Sequence, residues 1–299
     1  MAAIICLGTA VHDLVFAVRE IPARPRKLTA TGYTTSGGGM AATAAVAAAR
    51  LGGNAAYWGR LGEDAAGDAV IAALRSHGVD AAVIGRTPGT RTAVSAVLVS
   101  PEGERLLATY PGKLDGDADW LPMARVADVQ AVMVDFRWPE GAQRLLAAAR
   151  DLGLPRVIDG DVGHPGALAS LLPLADHVVF SELGLAELTG ESEPGTGLLA
   201  VAAMTPGIVA VTLGDQGSLF LIDGSLHPVA PYAVTARNTN GAGDVFHGGY
   251  TLALAEGQPP LAAACFASAA AALMCEAGGG WDGTPQRAAV ESLLVRGAR

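Results

Sequence analysis

The stretch at residues 238–249, NTNGAGDVFHGG, constrains the fold and the chemistry of this chain more than any other. Residues 232–236 before it alternate as a short strand does, and residues 245–255 after it have the composition of an apolar helix. The Gly-Ala-Gly segment at 241–243 is therefore predicted to form a tight loop that opens a helix. Backbone N–H groups at a helix N-terminus lack intrahelical partners, and together with the helix dipole they favour a bound anion.

Asp244 stands in the first turn of this predicted helix. A carboxylate at that position is an ordinary capping choice. Beside a bound phosphate, however, its negative charge costs free energy unless it has a task, such as accepting the proton of an attacking hydroxyl group. Glycine-rich turns with an acidic cap also occur for structural reasons alone, so the motif by itself leaves both interpretations open.

The composition indicates a well-buried α/β protein and limits its partners. Hydrophobic residues make up 51% of the 299 residues and charged residues 16%, which excludes disorder as the dominant state. The formal net charge of -9 argues against a nucleic-acid partner, because nucleic acids normally bind a basic face. It does not argue against ATP, which needs only a few local donors.

The cysteines and the N-terminal segment favour a cytoplasmic protein. Cys6, Cys265 and Cys275 show neither metal-ligand spacing nor a disulfide framework, so we expect them to be reduced and buried. Residues 1–11 are apolar but lack a basic region and a cleavage site, which predicts a first strand rather than a signal peptide. Residues 261–274 are too few and too rich in Ala for a membrane span.

The N-terminal part predicts a strand, an acidic residue beyond it and a helix opened by glycines. Residues 3–7 form the first strand, and Asp13 follows where ligands of a parallel sheet gather, although it could also cap a turn. Residues 28–35 alternate and predict an exposed or half-covered strand. Three glycines at 37–39 then open an Ala-rich helix over residues 40–51, and they either permit close backbone approach or only make a turn.

A small second sheet is predicted beside the main one. Residues 92–99 and 105–110 have the pattern of a hairpin around residues 101–103. Together with the strand at 28–35, this hairpin could form a lid.

From residue 129 the pattern becomes a regular alternation of apolar strands and amphipathic helices, which implies βαβ units and a parallel sheet. The predicted strands are 131–134, 156–158, 177–180 and 208–213, and the helices between them are 141–152, 166–172, 185–188 and 197–204. Residues that follow the carboxyl ends of such strands face ligands. Here they are Asp135, Arg137, Asp159, Asp161, Ser181, Glu182, Gly214 and Gly217.

Three landmarks together resemble the ribokinase-like (PfkB) carbohydrate kinases: residues 38–52, residues 211–217 and residues 240–244. They occur in the family's order, and the resemblance covers essentially the whole chain. It implies an α/β fold, the ribokinase-like α/β/α sandwich with a central, mostly parallel sheet and a small β-sheet lid. We expect one kinase domain over residues 1–299, with lid segments at approximately 12–36 and 90–111.

The resemblance also implies the reaction and its participants. The enzyme would transfer the γ-phosphoryl group of ATP to a sugar hydroxyl, Mg²⁺ would neutralise the triphosphate, and two copies would pair through the lid. The catalytic set is a general base with an anion hole of backbone amides: Asp244, Gly241, Ala242 and Gly243. The residues implied at the sugar are Asp13, Lys27, Gly38, Gly39, Thr43, Tyr110 and Arg137. Those implied at the nucleotide are Ser181, Glu182, Thr212, Gly214, Gly217 and Gly243.

The chain departs from the family pattern at three places. Thr43 stands where most members have Asn, so one polar contact there is lost or replaced. Asn238 stands where an Asp helps many members to bind a monovalent cation, which leaves potassium dependence open. The Asn-x-x-Glu motif at the triphosphate and metal is replaced by SELG at residues 181–184, where Glu182 is a partial substitute.

The chain is most similar to one subgroup, the bacterial sulfofructose kinases. The matching features are Lys27, the helix opening at 37–45, DFRW at 135–138, DGD at 159–161 and GAGDVFHG at 241–248. This implies a sulfonate held by two cations, the planar fork of an arginine and the point charge of a lysine.

The sulfonate-binding roles have alternatives. Arg137 could instead pair with Asp135 or Asp159, and Lys27 could be a solvated lid residue. Thr109, which precedes Tyr110, stands where the subgroup has Asn, which could shift recognition to another sugar.

Three functions follow in order of support. The first is an ATP-dependent kinase of a ketose-like sugar, with 6-deoxy-6-sulfofructose leading. The second acts on fructose, ribose or another unmodified sugar, or on a nucleoside, although few aromatics that could stack on a base lie near the site. The third is a non-catalytic sugar-binding protein. His247, three residues after Asp244, could tune that base or only pack against the sheet.

Overall fold

The computed structural model of the chain describes residues 1–101 and 104–297. Within these ranges the strands are β1 (Ala3–Gly8), β2 (Val11–Ala17), β3 (Gly32–Gly38), β4 (Asn54–Gly62), β5 (Asp80–Thr87), β6 (Val94–Val99), β7 (Arg105–Tyr110), β8 (Ala131–Asp135), β9 (Arg156–Gly160), β10 (His177–Ser181), β11 (Ile208–Thr212), β12 (Ser218–Ile222) and β13 (Ser225–Val229).

The α-helices in the same ranges lie mostly between consecutive strands of the main sheet. They are α1 (Met40–Arg50), α2 (Ala65–Ser76), α3 (Pro139–Asp151), α4 (Pro165–Leu171), α5 (Glu182–Thr189), α6 (Pro194–Ala202), α7 (Ala242–Ala255), α8 (Pro260–Ala277), α9 (Gly280–Gly283) and α10 (Arg287–Gly297).

The main sheet has nine strands in the order β13-β12-β11-β10-β9-β8-β1-β4-β5. Its strands from β11 to β5 are parallel, and β12 and β13 extend it as antiparallel edge strands. Parallel strands need crossover connections, which the helices supply. The carboxyl ends of the parallel strands therefore meet at one edge of the sheet, where ligands of such folds bind.

The sheet separates two hydrophobic clusters, which makes the body a three-layer α/β/α sandwich. In β1, Ile4 and Cys6 point into the cluster under α1, α7 and α8, whereas Ile5 and Leu7 point into the cluster under α3 and α6. This alternation follows from the two-residue period of a strand. The expected fold class is confirmed.

A smaller sheet of four strands, in the order β3-β2-β6-β7, forms the lid. β6 and β7 pair antiparallel as the hairpin expected from the sequence, and its turn at residues 102–103 lies outside the described residues. β2 also takes part, so Asp13 lies within a strand of the lid rather than in a turn. The chain therefore passes from the main sheet, in β1, directly into the lid, in β2.

Two strand expectations are wrong. Residues 232–236 form no strand within the described chain, because the N–H groups of Arg237 and Asn238 just after them bond Cys275 O, while Tyr232 packs against the core from an irregular segment. The edge strand is instead β13, which follows β12 through a turn. In addition, β3 begins at Gly32 rather than near residue 28, and it includes two of the three glycines that precede the helix.

α8 is long and apolar enough to span a membrane by length and composition alone. In this fold its Ala263, Ala267 and Ala270 are fully buried in the cluster that α7 also lines. The small side chains let the two helix backbones come close, so the helix serves as a core layer of the sandwich.

The carboxylate of Asp135 joins the ends of β1 and β8. It is fully buried and accepts hydrogen bonds from the backbone N–H of Thr9, at 2.6 Å, and of Arg137, at 3.0 Å. Burial raises its pKa, and these bonds lower it. A Cβ at Gly8 would overlap this carboxylate, so the junction requires glycine.

Gly8→Ala tests this junction. The added methyl group has to displace Asp135 from its two amide partners, so we expect the free energy of unfolding to fall by about 2 kcal/mol or more, as overpacked core sites do. Urea denaturation measures the change. Gly166→Ala is the matched control, because a Cβ there meets open space and should change stability little. Equal stabilities of the two variants would contradict the conclusion that the Asp135 carboxylate requires glycine at position 8.

Candidate active site

A cavity of about 1250 Å³ lies at the carboxyl edge of the main sheet, with residues of the lid on its other side. Its lining includes residues that follow β1, β8 and β9, the start of α7 and the inward face of β2, β3 and β6. This volume exceeds that of a typical small-ligand pocket, so it can hold two substrates side by side.

The start of α7 supplies an anion-binding loop at the floor of this cavity. Gly241 precedes the helix with φ 80°, a conformation that favours glycine. The N–H of Ala242 already donates to Thr239 O at 3.2 Å. In the described part of the chain, the N–H groups of Gly241 and Gly243 have no such acceptor, so they remain available for an anion.

Asp244 projects from the first turn of α7 into the same cavity. It is half-buried, and its pKa is raised well above the usual range, first by burial and then by the negative charge of Asp159, while His247 acts in the opposite direction. A base whose pKa is raised toward the working pH holds a proton better during reaction. The position and the environment therefore suit proton transfer.

Further carboxylates surround this base. Asp159 is buried, and its pKa is raised well above the usual range by burial, Asp161 and Asp135. Asp161 accepts a hydrogen bond from the Ser181 hydroxyl at 2.8 Å. Within the described residues, no group of three or more His, Cys, Asp or Glu side chains is arranged to hold a metal ion.

Asp13 defines the opposite, lid-facing part of the cavity, together with Gly38 and Gly39. Burial raises the pKa of Asp13 to about 6, and a hydrogen bond from Ser95 opposes this. A Cβ at Gly38 would overlap the Asp13 carboxylate, and one at Gly39 would lie 2.6 Å from Thr9 O. The two glycines thus allow the carboxylate and the backbone to come together, which a simple turn would not require.

Thr43 is tied to an unexpected partner at the cavity wall. Its hydroxyl accepts a hydrogen bond from Trp281 Nε1 at 2.9 Å, and both side chains are buried. A Cβ at Gly37 would overlap the Trp281 ring. Thr43 therefore satisfies the indole N–H of a tryptophan from α9, and Trp281 lines the cavity rather than merely filling the core.

Arg137 follows β8 and lines the cavity with an exposed side chain. Its Nη2 donates to Val162 O at 3.0 Å, and its Nε lies 3.5 Å from Met40 Sδ. Within residues 1–101 and 104–297 its guanidinium forms no ion pair; only its backbone N–H bonds Asp135. The structure therefore does not show the alternative pairing with Asp135 or Asp159.

Two other residues expected at the sugar lie outside the cavity lining. Lys27 is exposed in the segment between β2 and β3, and Tyr110 is 44% exposed at the end of β7. Thr109, in contrast, lines the cavity and shares a hydrogen bond of 3.0 Å with Ser95. The strand alternation of β7 places Thr109 inward and Tyr110 outward.

Of the residues expected at the nucleotide, some line the cavity and others lie outside its lining. Ser181 and Thr212 line the cavity at the ends of β10 and β11. Glu182 and Gly214 are exposed just beyond it. Gly217 is buried with φ 88°, and a Cβ there would overlap Val229 O, so its need for glycine is explained by packing against β13.

Several cationic residues of the cavity were not identified from the sequence. Lys113 follows β7, Arg105 begins it and donates to the Thr239 hydroxyl at 3.3 Å, and Arg60 lies 4.4 Å over the Trp138 ring. They belong to three separate segments whose sequences carry no motif. Only the fold brings them to one cavity, so no local pattern could have found them.

Known proteins with this arrangement are carbohydrate kinases. The family model described as pfkB family carbohydrate kinase matches residues 1–287. A ribokinase from Bacillus subtilis is 26% identical over 98% of this chain and 100% of its own length. A fructokinase from Oryza sativa is 30% identical over 73% of this chain and 74% of its own.

The fold comparison agrees with the sequence comparison. The crystal structure of a ribokinase candidate from Agrobacterium tumefaciens superposes with a TM-score of 0.95 at 35% identity, covering 99% of this chain and 98% of that one. The match extends over the lid as well as the main sheet, since nearly every residue of both chains is included.

Asp13→Asn should stabilise the protein in a pH-dependent way. Because folding raises the pKa of Asp13 from 3.8 to about 6, the folded state binds its proton more tightly than the unfolded state does. The resulting penalty is absent below about pH 4, grows between pH 4 and 6 and is complete above pH 6. With allowance for solvent screening, we expect Asn to add about 1–2 kcal/mol at pH 8.

Urea denaturation of both proteins at pH 5 and pH 8 measures this effect. Asp223→Asn, in the exposed turn before β13, is the control and should behave as the wild type at both pH values. A stability gain for Asp13→Asn that is larger at pH 5 than at pH 8 would contradict the buried, destabilised carboxylate.

Proposed function

This chain belongs to the pfkB family of carbohydrate kinases, and from that membership we propose that it phosphorylates a ketose-like sugar carrying a terminal anionic group, with 6-deoxy-6-sulfofructose the leading candidate. Transfer of the ATP γ-phosphoryl group to a sugar is the activity of the family. The single observation that supports an anionic substrate is Arg137, whose guanidinium lines the cavity and forms no salt bridge in the described chain, while its charge acts on Asp135 and Asp159.

Asp244 is proposed as the general base. A sugar hydroxyl oxygen attacks the γ-phosphorus of ATP, the bond from that phosphorus to the β–γ bridging oxygen breaks, and ADP leaves with its electron pair. The hydroxyl proton passes to Asp244. Its raised pKa supports this role, because the carboxylate then competes for the proton as the oxygen loses it.

The start of α7 is proposed to hold the transferring phosphoryl group. The free N–H groups of Gly241 and Gly243 point from a helix N-terminus, where the dipole adds positive potential. Ala242 is a weaker candidate in this conformation, because its N–H is already bonded to Thr239 O. Positioning and charge stabilisation are what this reaction needs from the protein.

ATP would lie against Ser181 and Thr212, at the ends of β10 and β11, with its γ-phosphate toward α7. Mg²⁺ usually binds through phosphate oxygens, water and one or two protein oxygens, and the described chain carries no preformed cage for it. Such a metal fits this edge as a companion of the triphosphate. It would neutralise part of the phosphate charge.

The sugar would lie between α7 and the lid. Asp13 accepts hydrogen bonds from sugar hydroxyls, and the missing side chains of Gly38 and Gly39 let the ring approach the backbone. The terminal anion would extend toward Arg137, whose planar fork can donate to two of the three oxygens of a sulfonate. Lys113 lines the cavity and is a better second cation in this conformation than Lys27, which would have to move with the lid segment.

An unmodified sugar is the second candidate. Relatives named ribokinase and fructokinase support it, and so does the bond from Arg137 to Val162 O, which gives the guanidinium a structural task. A nucleoside has less support. Phe136 and Trp138 are almost completely buried, so neither ring can stack on a base.

The protein is proposed to be a cytoplasmic homodimer that pairs through the outer face of the lid. Tyr33, Leu106 and Tyr110 on β3 and β7 are 58%, 48% and 44% exposed and lie outside the cavity lining, which is unusual for large apolar side chains on one small sheet. Analytical ultracentrifugation tests this. We expect a dimer for the wild type and a monomer for Leu106→Glu, whereas a monomeric wild type would contradict the pairing.

Asp244→Asn tests the catalytic assignment. Asn keeps the shape but cannot accept the proton, so we expect kcat to fall by about 10²–10⁴-fold, the usual contribution of a general base, while ATP and sugar still bind. Steady-state kinetics and calorimetric ATP titration measure the two effects. Asp223→Asn is the control and should retain full kcat. Near-normal turnover by Asp244→Asn would contradict the role of Asp244.

Arg137→Gln tests the substrate assignment. Loss of a charged bidentate partner should lower kcat/KM for 6-deoxy-6-sulfofructose by about 10²-fold, about 3 kcal/mol, and leave kcat/KM for fructose within about threefold. Arg137→Lys, which keeps the charge but not the fork, should lose less. An equal loss with both sugars would return Arg137 to a structural role.

A further inference from the structure

His247 lies under the base, on the same helix and one turn further along α7. It is 3% exposed, and both of its ring nitrogens face oxygen atoms. Nδ1 is 2.7 Å from Gly243 O, and Nε2 is 3.0 Å from Val179 O. Nδ1 also lies 3.4 Å from Asp159 Oδ2. The ring thus connects α7 with the neighbouring ends of β10 and β9.

A neutral imidazole ring cannot donate hydrogen bonds to both of these carbonyl oxygens. It donates through one nitrogen and presents a lone pair at the other. Backbone carbonyl oxygens only accept, so either tautomer would leave a lone pair facing a carbonyl oxygen at hydrogen-bond distance. A proton placed on Asp159 instead of on Nδ1 would not remove this conflict, because the lone pair of Nδ1 would still face Gly243 O. Only the doubly protonated ring donates to both carbonyls.

The charges around the ring also favour its protonated form. Asp244 is on the same helix, Asp159 and Asp161 follow β9, and Asp135 ends β8. Arg137 is a cation whose charge acts on Asp159 and lowers the pKa of that carboxyl group. Burial has the opposite effect and is the largest influence, so the pKa of His247 lies below its ordinary value, although the bonds to Val179 and Gly243 and the charges of Asp244 and Asp161 act to raise it. The protonated form is therefore inferred from the two carbonyl contacts of the ring.

We propose that His247 is a positioning residue held as an imidazolium ion, which fixes the first turn of α7 and supplies positive charge beneath Asp244. The proposal rests on the proposed function of Asp244 as the base. The imidazolium donates to Gly243 O, the carbonyl of an anion-hole residue, and so couples the orientation of that peptide to β10. Its charge opposes the rise in the pKa of Asp244 that burial and the surrounding carboxylates cause.

A purely structural histidine would act differently. A packed neutral ring would contribute buried area and one hydrogen bond, and its loss would lower stability without changing the ionisation of Asp244. His177 offers that comparison within the same protein. It lies on β10, bonds the Tyr250 hydroxyl through Nδ1 at 3.0 Å, and burial lowers its pKa to about 4, so it is neutral at pH 7.

Nitrogen NMR of wild-type protein labelled with ¹⁵N-histidine tests the charge directly. At pH 7 we expect protons on both ring nitrogens of His247 and on one nitrogen of His177, with His247 assigned by its absence from the His247→Asn spectrum. An unprotonated ring nitrogen in His247 at pH 7 would overturn the proposal. This measurement uses the wild type, so it stands even if a variant folds poorly.

The kinetic test uses His247→Asn and His247→Gln. Removing a cation raises the pKa of a nearby carboxylate, so the acid limb of the kcat profile should move up by about one pH unit. At pH 7 kcat should fall by about tenfold, with KM for ATP and for sugar within about twofold. His177→Asn should leave the acid limb in place. An unmoved limb in both His247 variants would overturn the positioning role.

The two proposals fail in distinguishable ways. Full activity of Asp244→Asn would remove the base, and the NMR spectrum would still report the charge of His247 by itself. Loss of activity in Asp244→Asn together with a neutral His247 would retain the base and overturn only the present inference.

Discussion

The site depends on placing the anion-binding N-terminus of α7 beside a group of carboxylates at the carboxyl edge of the main sheet. Asp135, Asp159 and Asp244 lie at this edge, and burial raises the pKa of each. A cluster of negative groups where a triphosphate has to bind is unfavourable unless each has a compensating partner. Asp135 has two backbone amides, Asp159 has the ring of His247, and Asp244 is left as the group that can take a proton. Burying these carboxylates lowers the stability of the fold, and the same surroundings raise the pKa of Asp244, which makes it a stronger base.

Close backbone approach makes this arrangement possible. Gly8 admits the carboxylate of Asp135, Gly38 admits that of Asp13, and Gly37 admits the Trp281 ring that reaches Thr43. Each glycine is therefore required by a close contact with a residue distant in sequence, and not by a turn of the backbone. The consequence is that the end of β1, the lid and α1 meet at one cavity with little room between their backbones. A sugar held there would be enclosed on the lid side, which excludes water from the transferring group.

Much of this fold follows from the sequence, and the failures have physical causes. The βαβ alternation, the lid hairpin and the helix opened by the 241–243 loop could be read from periodicity and glycine placement. The strand at β13 could not, because an exposed edge strand has no buried alternation, while the alternating residues 232–236 are irregular. At the site, the strand-end rule located Arg137, Asp159 and Ser181 in the cavity. It could not find Lys113 or Trp281, whose positions depend on how the lid and α9 fold back over α1.

The most direct test of the account is a coupled ADP-release assay of the wild-type enzyme with MgATP. It compares 6-deoxy-6-sulfofructose, fructose 6-phosphate and fructose at equal concentrations. The account predicts the highest kcat/KM for the sulfosugar and a clearly lower value for fructose, because only the first presents a terminal anion of sulfonate shape to Arg137. Equal rates for all three sugars, or a preference for fructose, would contradict the anionic substrate while leaving the kinase fold and Asp244 in place.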